Sequence, residues 1–284
     1  FQPQRVCMSQ WREKRVLVTG GSQGLGFSIA RAFGKQGAKV ILWARDSERL
    51  RTAVERLHED QIEASYETVD VLDATAVNEG MQAIEKHYGR LDVLVNAVGK
   101  STRIPLGEAS LETYQEFMRL NFETAVQCSL TAMPLLEKTG GHLVNIGSLS
   151  SKTAWPYMAP YTASKFALAG FTQQCRLEGP SNVHTMLVCP GPIRRTDAGS
   201  RYARDGSNVP QSAAKPGGGA PVKGLSPERV ANLIVRGCQR RTAELILPAW
   251  LRCLFSVSAC SASLGDWILK PVSYTHLRAH ETST

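Results

Sequence analysis

Seven short, strand-like runs alternate with stretches of helical period between residues 15 and 247. This alternation restricts the fold more than any other feature. The strand-like runs are Arg15–Thr19, Lys39–Trp43, Ser65–Val69, Leu91–Val95, His142–Ile146, Val183–Val188 and Ala243–Leu247. Helical periodicity fills the gaps at Phe27–Gly37, Asp46–His58, Ala74–His87, Leu111–Glu137, Pro160–Glu178 and from Ser226 to about Arg240. A strand covered on both faces is apolar at successive positions, whereas its covering helix is apolar on one side only. Repeated β-α-β units cross over right-handedly, which predicts an α/β fold: a Rossmann-like, doubly wound parallel sheet of about seven strands in a single domain.

Asp46 and Ser226 each stand where a helix cap is needed, and Pro227 follows Ser226 at a first helical position. The expected organisation is an extension at 1–12, a main domain at 13–250, an apolar segment at 251–270 and a non-native tail at 271–284. Within the domain, 197–225 is rich in Gly, Ser, Pro and Ala and reads as a mobile insertion.

Composition narrows the class. Apolar residues make up 43 % and charged residues 20 % of 284, as in globular proteins and unlike disordered ones. The run Leu251–Leu269 is interrupted by Arg252 and Asp266, so it does not read as a membrane span. Seven scattered cysteines with no C-x-x-C argue for a reducing, cytoplasmic setting and against a disulfide framework. The six histidines show no ligand spacing apart from His276 and His280 in the tail, and no metal site is expected. The net charge of +8 is concentrated after residue 193, with eleven basic against four acidic residues at 194–252. That segment lacks the interleaved aromatics that stack on bases, so a solvated basic face accounts for it better than nucleic-acid binding.

Two motifs carry chemistry. Gly20, Ser22, Gln23, Gly24, Leu25 and Gly26 lie between the first strand and first helix, spaced G-x-x-x-G-x-G. Glycines there allow a tight turn and let a pyrophosphate reach the helix N-terminus. Later, Tyr161 and Lys165 stand four apart on one face of a helix, thirteen residues after Ser148 at a strand's carboxyl end. A phenol titrates near pH 10, so a fixed cation beside it is what makes it useful as an acid/base near neutrality. The Ser148 hydroxyl then donates to a carbonyl oxygen while Tyr161 exchanges the proton.

Taken together, these residues resemble the short-chain dehydrogenase/reductase family. The glycine loop, Asp70-Val71, Asn96–Gly99, Asn121, Ser148, Tyr161, Lys165 and Pro190-Gly191 fall in that family's order and spacing, over about residues 13–247. One departure is Asn96-Ala97-Val98-Gly99, where the family usually shows Asn-Asn-Ala-Gly.

The resemblance implies an NAD(P)(H)-dependent enzyme interconverting a ketone and a secondary alcohol. Tyr161 takes the general acid/base role, Lys165 lowers its pKa and binds ribose, Ser148 orients the carbonyl, and Asn121 holds a relay water. Asp70 and Val71 flank adenine; Asn96 and Gly99 belong to the cofactor site; Pro190, Gly191 and Ile193 pack on the nicotinamide; Thr196 reaches the pyrophosphate or carboxamide. An acidic residue at the end of the second strand repels a 2′-phosphate. This chain has Ala44 there, followed by Arg45 and, one turn later, Arg49, which favours NADP(H) over NAD(H).

Trp155, Pro156, Tyr157 and Met158 are expected at the pocket mouth and suggest an apolar or lipid-like substrate. The stretch Tyr161–Leu168 is also similar to bacterial relatives of 3-ketosphinganine reductases, a similarity shared too widely to choose a substrate. A homo-oligomer, dimer or tetramer, is expected from the family. The 251–270 segment could rest on a membrane surface or close a subunit interface. A catalytically silent NADP(H)-binding sensor or scaffold of the same fold is the rival reading.

Overall fold

The computed structural model describes residues 10–194, 209, 224–261, 263–265 and 267. Seven strands form one sheet: β1 (Arg15–Thr19), β2 (Lys39–Ala44), β3 (Ala64–Thr68), β4 (Val93–Asn96), β5 (His142–Ile146), β6 (His184–Pro190) and β7 (Glu244–Leu247). Every pairing is parallel, in the order β3-β2-β1-β4-β5-β6-β7. The chain leaves β1 towards β2 on one side and returns to β4 on the other. Beyond the carboxyl ends of β1 and β4 the connections diverge and leave a crevice.

The strands divide their side chains between two cores. Val16, Val18, Val40, Leu42, Val93, Val95 and Val144 point to one face. There α1 (Gly24–Gly34), α2 (Ser47–Glu59) and a later helix, α7 (Pro227–Gln239), cover them with residues such as Phe33, Leu57 and Ile234. Leu17, Ile41, Trp43, Leu94 and Leu143 point to the other, under α3 (Ala74–Tyr88) and α5 (Thr124–Thr139). This period-two division, with both faces covered, is why the strands are nearly continuous apolar runs. α4 (Leu111–Met118) and α6 (Ala159–Glu178) complete the layer behind the catalytic edge.

Asp46 and Ser226 cap α2 and α7 as expected, each accepting from the backbone N–H three residues on. At the amino-terminal ends of β1 and β4, Asp92 accepts from Arg15 N at 2.9 Å, Lys14 Nζ at 3.0 Å and Arg90 Nε at 2.9 Å. Burial pushes its carboxyl up, but these donors outweigh burial and hold it below the usual carboxylate range.

Three expectations are corrected. The first helix runs Gly24–Gly34 rather than Phe27–Gly37. Gly34 packs directly on Ile62, where a Cβ would sit 2.2 Å from Ile62 Cγ2, and the chain then turns through Gly37 at φ +88°. The helix expected over Leu111–Glu137 is interrupted by one π turn at Arg119–Glu123, which carries Asn121. The apolar segment after 250 is not wholly separate, since α8 (Leu251–Cys260) buries Leu251 and Phe255 against Leu149, Leu187, Cys189 and Ile246. Trp250, Val257 and Trp267 remain exposed. Among the described residues no helix is long and apolar enough to cross a membrane. The extension at 1–9, Thr196, nearly all of the 197–225 loop and the 271–284 tail lie outside the described residues.

Candidate active site

The site begins where β1 ends. Gly20 and Gly21 donate their N–H groups to the Trp43 carbonyl at 2.8 and 3.4 Å, which folds the loop back over the end of β2. Gly20 holds φ +66°, and a Cβ on Gly26 would lie 2.3 Å from the Gly20 carbonyl oxygen, so the turn closes this tightly only with hydrogen at position 26. Gln23 precedes α1 in an extended conformation without a side-chain cap, and the first turn carries no acidic residue. The helix therefore offers its first N–H groups and positive end to the cleft.

A cavity of about 290 Å³ opens in front of this loop. Its walls include Gly20, Ser22, Gln23, Gly24, Leu25 and Gly26, with Arg45 and Arg49 from the end of β2 and the start of α2. Asp70, Val71 and Gly99 close its other side. The Asp70 carboxylate is oriented by the Leu72 N–H at 3.0 Å. Arg49 Nε lies 3.1 Å from Asp46 Oδ2, so Asp46 both caps α2 and neutralises one of the two arginines.

A second cavity, of about 210 Å³, shares Leu25, Ala97, Val98 and Gly99 with the first. It brings together Ser148, Tyr161, Lys165, Pro190, Gly191 and Ile193. Lys165 is 3 % exposed, its Nζ donates to the Ile146 carbonyl at 2.8 Å, and it sits 5.9 Å from the centre of the Tyr161 ring. Burial lowers the ammonium to about 8, against a smaller opposing influence from Cys189. Ser148 extends past β5, its Oγ accepting from Ser150 N at 3.1 Å and its N–H donating to Ser151 Oγ at 3.2 Å.

Asn121 and Asn96 stand behind the walls. Asn121 Nδ2 donates to the Lys100 carbonyl and to Ser164 Oγ, both at 3.0 Å, while its Oδ1 accepts from Lys100 N at 2.8 Å. Ser164 Oγ in turn donates to the Tyr161 carbonyl at 2.7 Å. Asn96 Nδ2 donates to Asn145 Oδ1 at 2.8 Å across the β4–β5 register.

Two walls of one cleft thus join a glycine-lined cradle to a serine, a tyrosine and a lysine. The short chain dehydrogenase family model matches residues 14–206. The chain belongs to the short-chain dehydrogenase/reductase family. It is 35 % identical over 188 residues to a putative ketoacyl reductase of Streptomyces coelicolor, covering 65 % of this chain and 72 % of that protein. A dehydrogenase/reductase SDR family protein 7-like of Drosophila melanogaster is 29 % identical over 100 % of this chain and 87 % of its own length. Among solved structures, an actinorhodin polyketide ketoreductase variant with NADPH superposes with a TM-score of 0.72 at 28 % identity, covering 82 % of this chain and 95 % of that one. L-sorbose reductase from Gluconobacter frateurii, complexed with NADPH and L-sorbose, gives 0.72 at 26 %, covering 84 % and 94 %.

This short-chain dehydrogenase is thus an NAD(P)-dependent oxidoreductase acting on CH–OH groups. Beside the departure at Ala97, β4 is tied to β1 through its backbone atoms. The Thr19 hydroxyl accepts from Ala97 N at 3.2 Å and donates to Val95 O at 3.4 Å, tying β4 to β1 where the family's second amide is missing. Of the expected pocket-mouth residues, Trp155 and Met158 line the catalytic cavity, and Pro156 and Tyr157 do not. Tyr157 instead holds φ +63°, and its carbonyl accepts from Ile104 N at 2.8 Å, which ties this loop to residues 103–104. Lys100, Ser101 and Arg103 also line the cavity and were not foreseen. Arg103 is only 2 % exposed, and no sequence signal separates it from an ordinary surface arginine.

Proposed function

We propose that the chain is an NADPH-dependent carbonyl reductase that reversibly converts a ketone to a secondary alcohol, with Tyr161 as the general acid/base. One observation carries this reading: Ser148, Tyr161 and Lys165 line a single cavity that shares the wall Leu25, Ala97, Val98 and Gly99 with the glycine-lined one. The cradle at Gly26, which a Cβ would fill, suits close approach of a pyrophosphate. When bound, the nicotinamide cofactor supplies or accepts the hydride.

The protein's residues do the rest. Gly20 to Gly26 would hold the pyrophosphate, Asp70 and Val71 the adenine, and Pro190, Gly191 and Ile193 the nicotinamide. Arg45, which makes no ion pair among the described residues, would meet a 2′-phosphate, with Arg49 shared between that phosphate and Asp46. Ser148 would donate to the substrate oxygen, and Tyr161 would pass it a proton. With an ammonium near 8, Lys165 is roughly nine-tenths charged at pH 7, enough to favour the phenolate after that transfer.

Asn121 enters as a positioning residue. A Cβ at Gly99 would lie 2.9 Å from Asn121 Oδ1 and 3.5 Å from Lys165 Nζ, so glycine keeps open a gap between those two atoms. A water in that gap would return protons to Lys165. Trp155 and Met158 support an apolar substrate. The putative ketoacyl reductase relative and the NADPH-bound ketoreductase favour the reductive direction.

Replacing Tyr161 with Phe tests the proposal. NADPH binding should survive, while turnover of any ketone found in an NADPH-oxidation screen, from acetoacetyl esters to long-chain lipids, should fall by ~10²-fold or more. Unchanged turnover would remove Tyr161 from the mechanism.

A further inference from the structure

The end of the sheet remote from the cleft gathers three donor atoms of a kind that bind metal. His142 opens β5 and His184 opens β6, and the β5–β6 register makes them direct partners. Their Nδ1 atoms are 2.9 Å apart. Cys238, near the end of α7, completes the group: its Sγ and one ring nitrogen from each histidine all lie within 4.8 Å of one another. The residues are 42 and 54 positions apart in sequence, so no ligand spacing announces them.

The proton arrangement is determined by the surroundings. His184 Nε2 lies 2.9 Å from the Thr242 carbonyl, an acceptor only, so Nε2 carries the hydrogen. In the neutral ring Nδ1 of His184 is then a bare lone pair, aimed at His142. This is how a metal-binding imidazole is oriented, with its far N–H held by a carbonyl. Without metal, His142 Nδ1–H donates into that lone pair. With metal, the His142 proton must move to Nε2, and the two rings must turn from facing each other so that both Nδ1 lone pairs meet the ion.

We infer that His142, His184 and Cys238 form a binding site for a borderline-soft d¹⁰ cation, with Zn²⁺ the expected occupant, clamping β5, β6 and α7 together. Metal–nitrogen bonds of about 2.0–2.1 Å span the 2.9 Å separation at roughly a right angle. An opening of about 0.4 Å brings the pair to tetrahedral geometry. Two imidazoles and one thiolate are a donor set that zinc accepts and that calcium or magnesium does not. Binding forms the metal–sulfur bond as the Cys238 S–H bond breaks, and the proton leaves to solvent. No electron is transferred. Three protein ligands leave a fourth position for water. The site lies at the amino-terminal ends of the strands, away from the Tyr161 cavity, so its role is structural and independent of the proposed reaction.

The test uses tag-free, full-length protein with the exposed Cys253 and Cys260 changed to serine, which removes two accessible thiols. Zn²⁺ alone should bind at one equivalent. At about a hundredfold excess over Kd it should raise the melting temperature by roughly 5–10 °C. Co²⁺ titration should produce a thiolate-to-cobalt charge-transfer band in the near ultraviolet. Both effects should vanish in Cys238→Ala and in His184→Asn, with NADPH binding used to verify that each variant is folded. Absence of zinc-dependent stabilisation overturns the inference. So does binding that persists in the two variants, or a cobalt spectrum without the thiolate band. Zinc binding with no detectable reductase activity would leave this site standing and count only against the proposed function.

Discussion

Asn121 holds the backbone of Lys100 in both directions, accepting its N–H at 2.8 Å and donating to its carbonyl at 3.0 Å. The π turn at Arg119–Glu123 presents the amide at this position. Its second N–H reaches Ser164 Oγ, which holds the first turn of α6 through the Tyr161 carbonyl. One amide therefore sets both the segment that follows β4 and the turn that carries Tyr161. π turns recur at functional positions because they shift one residue out of helical register.

Asn121→Ala should therefore weaken stability and activity together. Removing the amide strands a part-buried N–H and carbonyl on Lys100 and the inward side of Ser164, at a cost of about 2–4 kcal/mol. The melting temperature should fall by roughly 5–10 °C, and kcat by about tenfold or more. Thermal melts with and without NADPH, beside steady-state kinetics, measure both. A variant with full kcat at lowered stability would make Asn121 purely structural.

Gly99→Ala obstructs the proposed relay gap while leaving the Asn121 amide in the chain. The new Cβ would stand 2.9 Å from Asn121 Oδ1 and fill the gap facing Lys165 Nζ. Turnover should drop by about 10²-fold or more, the lower range for interrupted proton transfer, with a melting temperature lowered by less than in Asn121→Ala, because Asn121 Oδ1 must give way but keeps its donors. A solvent isotope effect that changes between the two enzymes would identify proton delivery as the affected step.

The inner strands were legible because a sheet covered on both sides demands nearly continuous apolar residues, whereas the edge strand β3 (ASYET), with exposed positions, was read from its place in the β-α alternation. β1 and β5 were read to the residue. Catalytic candidates were legible for a different reason. Ser148, Tyr161 and Lys165 occupy a strand end and one helix face, but a Tyr/Lys pair at that spacing is common on helices, and it was the resemblance of the whole motif set to the short-chain dehydrogenase/reductase family that picked them out. What escaped depends on long-range contacts. The π turn exists where Asn121 meets Lys100, the burial of Arg103 depends on the packing of the segment after β4, and His142 meets His184 only through strand register. Asp46 was half legible: its cap follows from position, but its ion pair with Arg49 required the side-chain geometry.

Arg45→Asp should reverse cofactor preference. The residue sits at the exposed end of β2, in the wall of the glycine-lined cavity. A carboxylate there repels a 2′-phosphate and accepts from a 2′-hydroxyl. NADPH affinity should fall about tenfold or more, equivalent to at least ~1.4 kcal/mol, with NADH affinity unchanged or improved. Fluorescence titration of both reduced cofactors decides it. Equal losses would assign discrimination to Arg49 or elsewhere.

The buried ammonium of Lys165 makes the last prediction one about pH. Its folded pKa of about 8 lies below the ordinary lysine value, so burial penalises the charged form. Between about pH 8 and 10.5 the unfolded chain binds more protons at this position than the folded one. Stability from this group therefore rises with pH across that window, and below it the full penalty, on the order of 3 kcal/mol, is present. Lys165→Met removes the charge at similar length. The variant also loses the bond to Ile146, a cost that does not vary with pH, so the informative quantity is how the variant-minus-parent stability difference changes with pH. That difference should shift by about 2 kcal/mol in the parent's favour between pH 7 and about 9.5. Turnover should be lost throughout, and in the parent kcat/KM should decline as pH rises through about 8 and the ammonium is lost. Denaturant melts at the two pH values measure the first effect. A stability difference that does not move with pH would mean that Lys165 is not carrying a buried charge at neutrality, and Tyr161 would then need another cation.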